Sequence, residues 1–158
     1  MFLLILALQI EMGPTEAIKP SSQINVFNTT AAQQPAVHEI STIILNQYKA
    51  WEKGDSDAYM SVFWKSPSLL YIIDSTIYFG WDQAKAKIER DYGDRRERGG
   101  LTLERLETNI ISEGLATTIE WWTMTFEKET LKGYSSSTWR KFAEGWKIIE
   151  AHTAIPPG

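Results

Sequence analysis

The last apolar segment of the chain, Trp146–Thr153, carries a glutamate and a histidine two residues apart, Glu150 and His152. Successive side chains of an extended strand alternate, so Trp146, Ile148, Glu150 and His152 are expected on one face and Lys147, Ile149 and Ala151 on the other. A carboxylate beside an imidazole raises its pKa and orients the ring, which suits general acid or base work near neutral pH. The competing reading is a strand-end histidine hydrogen-bonded for structure. A second carboxylate, Glu120, lies in Ala116–Phe126, where Thr118, Glu120, Trp122 and Met124 oppose Ile119, Trp121 and Thr123. On an inner face Glu120 would be a buried acid with a raised pKa and a further candidate for proton transfer. Otherwise it pairs across the sheet with an Arg or Lys.

Much other chemistry is excluded by residue type. The chain has no cysteine, which removes disulfides, thiolate metal sites and Cys nucleophiles together. It has only two histidines. With no His-Glu-x-x-His and no carboxylate cluster at ligand spacing, no metal is predicted. His38 falls off the apolar stripe of its helix, near Ser41, Lys49 and Glu52, and reads as a solvated residue. No Gly-x-Gly-x-x-Gly, Walker lysine loop or Gly-x-Ser-x-Gly elbow supports a nucleotide cofactor or serine hydrolysis, so no cofactor is expected. Ser135-Ser-Ser137 reads as a run within a strand. Arg95, Arg96 and Arg98 could meet an anionic ligand, although such runs in loops are usually solvated. A net charge of −4 repels phosphate backbones and anionic membranes, which disfavours nucleic acid as a partner.

The elements that must position these groups belong to one compact domain of 158 residues, 43% hydrophobic and 23% charged. Pro35 suits a first helical turn, and Val37, Ile40, Ile44, Tyr48 and Trp51 then recur at helical spacing. Gly54 can cap that helix in the left-handed conformation and Asp55 can cap the next, whose Tyr59, Val62 and Phe63 form its buried side. Leu69–Ile73 and Ile77–Phe79 flank the turn Asp74-Ser-Thr76 as a hairpin. Trp81, Ala84, Ile88 and Tyr92 mark a third helix. Four long strands follow, Leu101–Ile111, Ala116–Phe126, Tyr134–Phe142 and Trp146–Thr153, whose short connections predict antiparallel pairing. Helices first and a meander after them make an α+β fold. Adjacent Trp121 and Trp122 must point to opposite faces, so a monomer would expose one large aromatic. A homodimer through the sheet is therefore expected.

At the other end, Met1–Ile10 is an apolar run about half the ~20 residues of a membrane span, so no span is expected. Residues 1–17 read either as an export signal, without a basic residue before the apolar stretch, or as a packed apolar segment. The first would place the protein in the periplasm or outside the cell, the second in the cytoplasm. Residues 18–34, rich in Ser, Thr, Asn, Gln and Pro, read as a linker. The folded domain is expected over 35–153 and a tail over 154–158.

Six fragments in order, Trp51-Glu-Lys-Gly-Asp55, Phe63-Trp-Lys-Ser-Pro67, Gly80-Trp-Asp82, Gly100-Leu-Thr-Leu103, Glu144-Gly-Trp146 and Ala151-His-Thr153, resemble the nuclear transport factor two-like superfamily, in particular its SnoaL-like, ketosteroid-isomerase-like branch. That resemblance implies a cystatin-like cone, three helices held in a strongly curved antiparallel sheet around a cavity. Laid on the isomerase pattern through Gly54-Asp55, the catalytic carboxylate falls at about Tyr71 and the oxyanion tyrosine at Gln47, with Tyr48 beside it. Classical steroid isomerisation is therefore not implied. Gln47, Tyr48, Trp64, Tyr71, Trp81, Tyr92, Trp122 and Trp139 are the candidate cavity lining, suited to a small apolar, ring-containing organic ligand; plain core packing is the alternative. The expected function is a small-molecule-binding domain, with cofactor-free acid–base chemistry through His152 with Glu150 or Glu120, or else a non-catalytic binding or association module.

Overall fold

A computed structural model describes residues 23–26, 29–92 and 99–155. After β1 (Gln23–Val26) and a 3-10 turn at Ala31–Gln33 comes the long helix α1 (Gln34–Lys53), then the short α2 (Ser56–Met60). The hairpin β2 (Leu70–Ile73) and β3 (Thr76–Phe79) precedes α3 (Trp81–Tyr92), and the meander β4 (Gly100–Ser112), β5 (Leu115–Thr125), β6 (Thr130–Phe142) and β7 (Gly145–Ala154) follows.

The α1 stripe forms as its spacing predicts: Val37, Ile40, Ile44, Tyr48 and Trp51 are all buried. Gly54 ends the helix at φ 75°, a left-handed value that favours glycine. One residue on, the Asp55 carboxylate accepts the Ala58 backbone N–H at 2.9 Å and caps α2. Met60, Phe63, Leu106, Trp139, Trp146 and Ile148 join Ile40, Ile44, Tyr48 and Trp51 of α1 in a core enclosed between the helices and one face of the sheet.

Among the described residues seven strands form one sheet in the order β1-β4-β5-β6-β7-β2-β3. The meander and the β2/β3 hairpin are antiparallel, as expected, but the sheet as a whole is mixed. β2 pairs parallel to β7, and β1 parallel to β4. Pairing signals in sequence come from short turns, whereas these two contacts join segments far apart in the chain. The stretch expected to be a linker thus supplies strand β1. Residues 1–17, the candidate export signal, lie outside the described residues, and among the described residues no helix is long and apolar enough to cross a membrane.

Curvature enters through bulges. Register shifts leave Glu104 and Ile111 of β4 without an opposite residue on β5, and Ile149 of β7 without one on β6. Each extra residue bends its strand and reverses which residues face inward beyond it.

Candidate functional site

The concave face of the sheet and the helices enclose a cavity of about 100 Å³. An apolar cavity of ~150 Å³ accepts benzene, so the enclosed space suits one small ring or a branched aliphatic group. Tyr48 and Trp51 of α1, Tyr59 and Phe63 around α2, Tyr71 of β2 and Trp122 of β5 supply its aromatic wall. Trp51 and Tyr59 meet edge to face at 5.1 Å between centroids, and Phe63 and Tyr71 pack at 5.2 Å. Asp74 and Ile155, both exposed, mark the rim. Asp74 holds its turn at φ 52° and its Oδ1 accepts the Ile155 backbone N–H at 3.0 Å, tying the rim to the end of β7.

Glu120 lies on the inner wall. Register sets Leu106, Glu120, Ser135, Thr153 and Ile73 opposite one another across five strands. Of these, Leu106 and Glu120 are buried, and every member but Leu106 borders the cavity. The Tyr48 hydroxyl donates a hydrogen bond to the Glu120 carboxylate. Burial pushes the Glu120 pKa from its ordinary 4.5 up to about 7, against the pull of the Tyr48 hydrogen bond. Tyr48 is raised well above its ordinary value, chiefly by burial and then by the charge of Glu120. The tyrosine therefore stays a donor across the physiological range, while the carboxyl is poised between acid and base.

A second polar group sits beside this pair. Trp122 Nε1 donates to Ser135 Oγ at 3.0 Å, and Ser135 Oγ lies 2.9 Å from Thr153 Oγ1. Gly133 makes the geometry possible, because a Cβ there would fall 2.3 Å from Trp122 Cζ2. The indole lies across the bare backbone of the neighbouring strand to reach Ser135.

Of the residues singled out from sequence, the cavity brings together Gln47, Tyr48, Tyr71, Glu120 and Trp122. Glu150 and His152 lie elsewhere. The bulge at Ile149 breaks the alternation counted from Trp146, so Trp146 and Ile148 face inward, then Ala151 and Thr153, while Glu150 and His152 turn to the outer face. There His152 stands between Ser136 of β6 and Ile72 of β2. Three of the expected aromatics also lie away from the cavity. Trp64 stacks on Phe142 at 5.5 Å, and Trp81 packs beneath the Lys65 and Lys85 ammonium groups with its Nε1 donating to the Met60 carbonyl. Trp139 is fully buried, donating to Thr118 Oγ1 at 2.9 Å. The side chain of Tyr92, and Arg95, Arg96 and Arg98, lie outside the described residues. His38 is exposed, as expected, and among the described residues no group of three or more His, Asp or Glu could hold a metal ion.

Sequence reasoning passed over Trp51, Tyr59, Phe63, Ser135 and Thr153 as site residues. Gly133 fell outside the strand expected at Tyr134–Phe142, whereas β6 begins at Thr130; only within that longer strand does the glycine mark close approach by a large neighbour, with Ser135 two residues on.

The AtzH-like family model matches residues 29–157. Among solved structures, an NTF-2 like protein of unknown function from Shewanella oneidensis MR-1 is similar at 27% identity and TM-score 0.70, over 75% of this chain and 98% of that one. A cystatin-like fold protein from Burkholderia xenovorans LB400 aligns at 22% identity and TM-score 0.64, over 80% of this chain and 96% of that one. A putative calcium/calmodulin dependent protein kinase II association domain from Xanthomonas campestris aligns at 10% identity and TM-score 0.64, over 89% and 98%. No curated protein matches the sequence significantly.

Proposed function

The chain belongs to the AtzH-like family, within the NTF2-like superfamily, and on that footing we propose that its cavity binds a small, largely apolar organic molecule with which Glu120 exchanges a proton, without a cofactor. One observation carries this reading: the only carboxyl buried in the aromatic wall, among the described residues, is hydrogen-bonded to Tyr48 and titrates at about 7. A buried acid with no cationic partner is costly to stability, and such groups cluster where proton transfer is needed. Tyr48 holds the carboxyl in one orientation, and the aromatic wall keeps water from levelling its pKa. The NTF2-like fold does not specify an activity by itself, since one fold hosts many functions.

The test begins with a thermal-shift screen of uncharged single-ring compounds, because a ligand that binds only the native state raises the melting temperature. Hits are then assayed for proton exchange at carbon by deuterium incorporation, in the wild type and in Glu120→Gln. Exchange that survives the substitution unchanged removes Glu120 from the role.

A different observation favours a second reading, association through the outer face of the sheet. Ile119, Trp121, Tyr134, Ile72, Ile77 and Phe79 share that face, and Ile77 and Phe79 are 50% and 64% exposed. Ser136 and His152 divide these residues into two apolar patches, one on β5 and β6 and one on β2 and β3, and such a pair of patches suits a second copy of the chain, as expected from the paired tryptophans. Sedimentation of the wild type and of Ile119→Lys decides: a dimer that the lysine converts to monomer supports it, and a monomeric wild type ends it.

A further inference from the structure

The hydrogen bonds of the second polar group do not close on themselves. Ser135 Oγ accepts from the Trp122 indole, and one hydrogen bond joins Ser135 Oγ to Thr153 Oγ1. Each hydroxyl owns one proton, and the bond between them consumes one of the two, whichever residue donates. If Ser135 gives its proton to Thr153, the Thr153 O–H remains; if Thr153 gives to Ser135, the Ser135 O–H remains. The indole is a donor only, so it cannot take up the remainder. No other hydrogen bond joins either hydroxyl to a described residue. Both side chains border the cavity, so among the described residues one O–H donor is left over at its wall in either arrangement.

We propose that the Ser135–Thr153 hydroxyl pair is the ligand's second point of attachment, a shared donor to one uncharged carbonyl oxygen, so that the cavity selects small apolar ketones, aldehydes or amides over hydrocarbons and carboxylates. The proposal rests on the reading of the cavity as a ligand site and adds the ligand's functional group. A carbonyl oxygen accepts the leftover proton and brings no O–H of its own that would need an acceptor. An anion would meet two carboxylates, Glu120 and Asp74, and among the described lining residues there is no Lys, Arg or His to balance it. Ser135 is directly opposite Glu120. Adjacent strands lie about 4.8 Å apart, so a carbonyl held at the pair sets its neighbouring carbon within reach of the buried carboxyl.

Cyclopentanone and methylenecyclopentane, alike in shape but for the acceptor oxygen, are the probes. The quantity measured is the ratio of their affinities by titration calorimetry, which cancels packing changes common to both. The wild type should prefer the ketone at least tenfold. Ser135→Ala and Thr153→Val each keep one free hydroxyl, so each should keep the preference within about threefold. The triple variant Trp122→Phe/Ser135→Ala/Thr153→Val, which also removes the indole N–H freed by the loss of Ser135, should lose it. In the wild type the carbonyl stretch of bound cyclopentanone should fall below its value in an apolar solvent, a readout that does not depend on the triple variant folding. Equal binding of the two probes, an unshifted stretch, or loss of preference in Thr153→Val alone would overturn the proposal while leaving the cavity a ligand site. Binding of neither probe would overturn both readings.

Discussion

Replacing Glu120 by Gln tests the centre of the site without needing its ligand. Glutamine keeps the shape and an acceptor for the Tyr48 hydroxyl but cannot ionise. Unfolded, the wild-type carboxyl titrates near 4.5; folded, at about 7. Between those values the native protein holds a proton that the unfolded chain has released, so the wild type loses stability as pH rises, and the loss levels off above the folded pKa. At about 1.4 kcal/mol per pH unit of separation, the whole effect is worth about 3 kcal/mol. The part falling between about pH 5 and about pH 8.5 is worth about 2.5 kcal/mol by the same linkage. Urea denaturation of both proteins across that range gives the difference in unfolding free energy, in which all other titrations common to the two cancel. Glu120→Gln should gain on the wild type steadily with pH and level off above about 8. A difference flat in pH would mean that the carboxyl titrates where a solvated glutamate does. That result would refute the buried-acid reasoning and with it the proton-transfer role.

Three further substitutions probe the supports of the site. Tyr48→Phe removes the hydrogen bond that lowers the Glu120 pKa, so the midpoint of the same pH-dependent stability curve should move above about 7. Gly133→Ala places a Cβ 2.3 Å from Trp122 Cζ2 and 2.5 Å from the Ala154 carbonyl oxygen; urea denaturation should show a loss of about 1–3 kcal/mol, and indole fluorescence should report the displaced ring. His152→Ala, on the outer face, should leave cavity binding within about twofold by calorimetry, and a tenfold loss, about 1.4 kcal/mol, would mean that β7 has been assigned the wrong phase.

What was legible in the sequence is what local periodicity controls. Val37 to Trp51 could bury one face only as a helix, Gly54-Asp55 could only turn a corner, and the Asp74 turn punctuated strands whose alternation was visible. Glu120 and Trp122 were assigned to the same face correctly because β5 pairs with β6 over its whole length without a register shift, so counting by two along it never fails. The superfamily followed from the order of six fragments, whereas nothing in those fragments distinguishes its narrower branches. Long-range pairing was not legible. β1 binds β4 and β2 binds β7 through backbone groups, which all residue types share, and no short turn announces either contact.

The histidine and the serine that traded importance show why the chemistry was harder to read than the fold. Alternation assigns a face only relative to a starting residue, and a single bulge inverts the assignment for everything beyond it. Counting forward from Trp146 carried His152 across Ile149, the residue without a partner on β6, and so from the outer face to the inner one. Ile148, Ile149 and Glu150 show no composition break at that point, because the bulge answers to the curvature of the whole sheet rather than to its own side chains. Ser135 was passed over for the opposite reason: nothing in a run of three serines marks the middle or the ends, and its place follows from Glu120 opposite and Trp122 reaching over Gly133. A carboxyl, an indole and two hydroxyls from three strands become one site only after the register between those strands is known. The residues most conspicuous for their chemistry in the sequence therefore need not be those that the curved sheet gathers around its cavity.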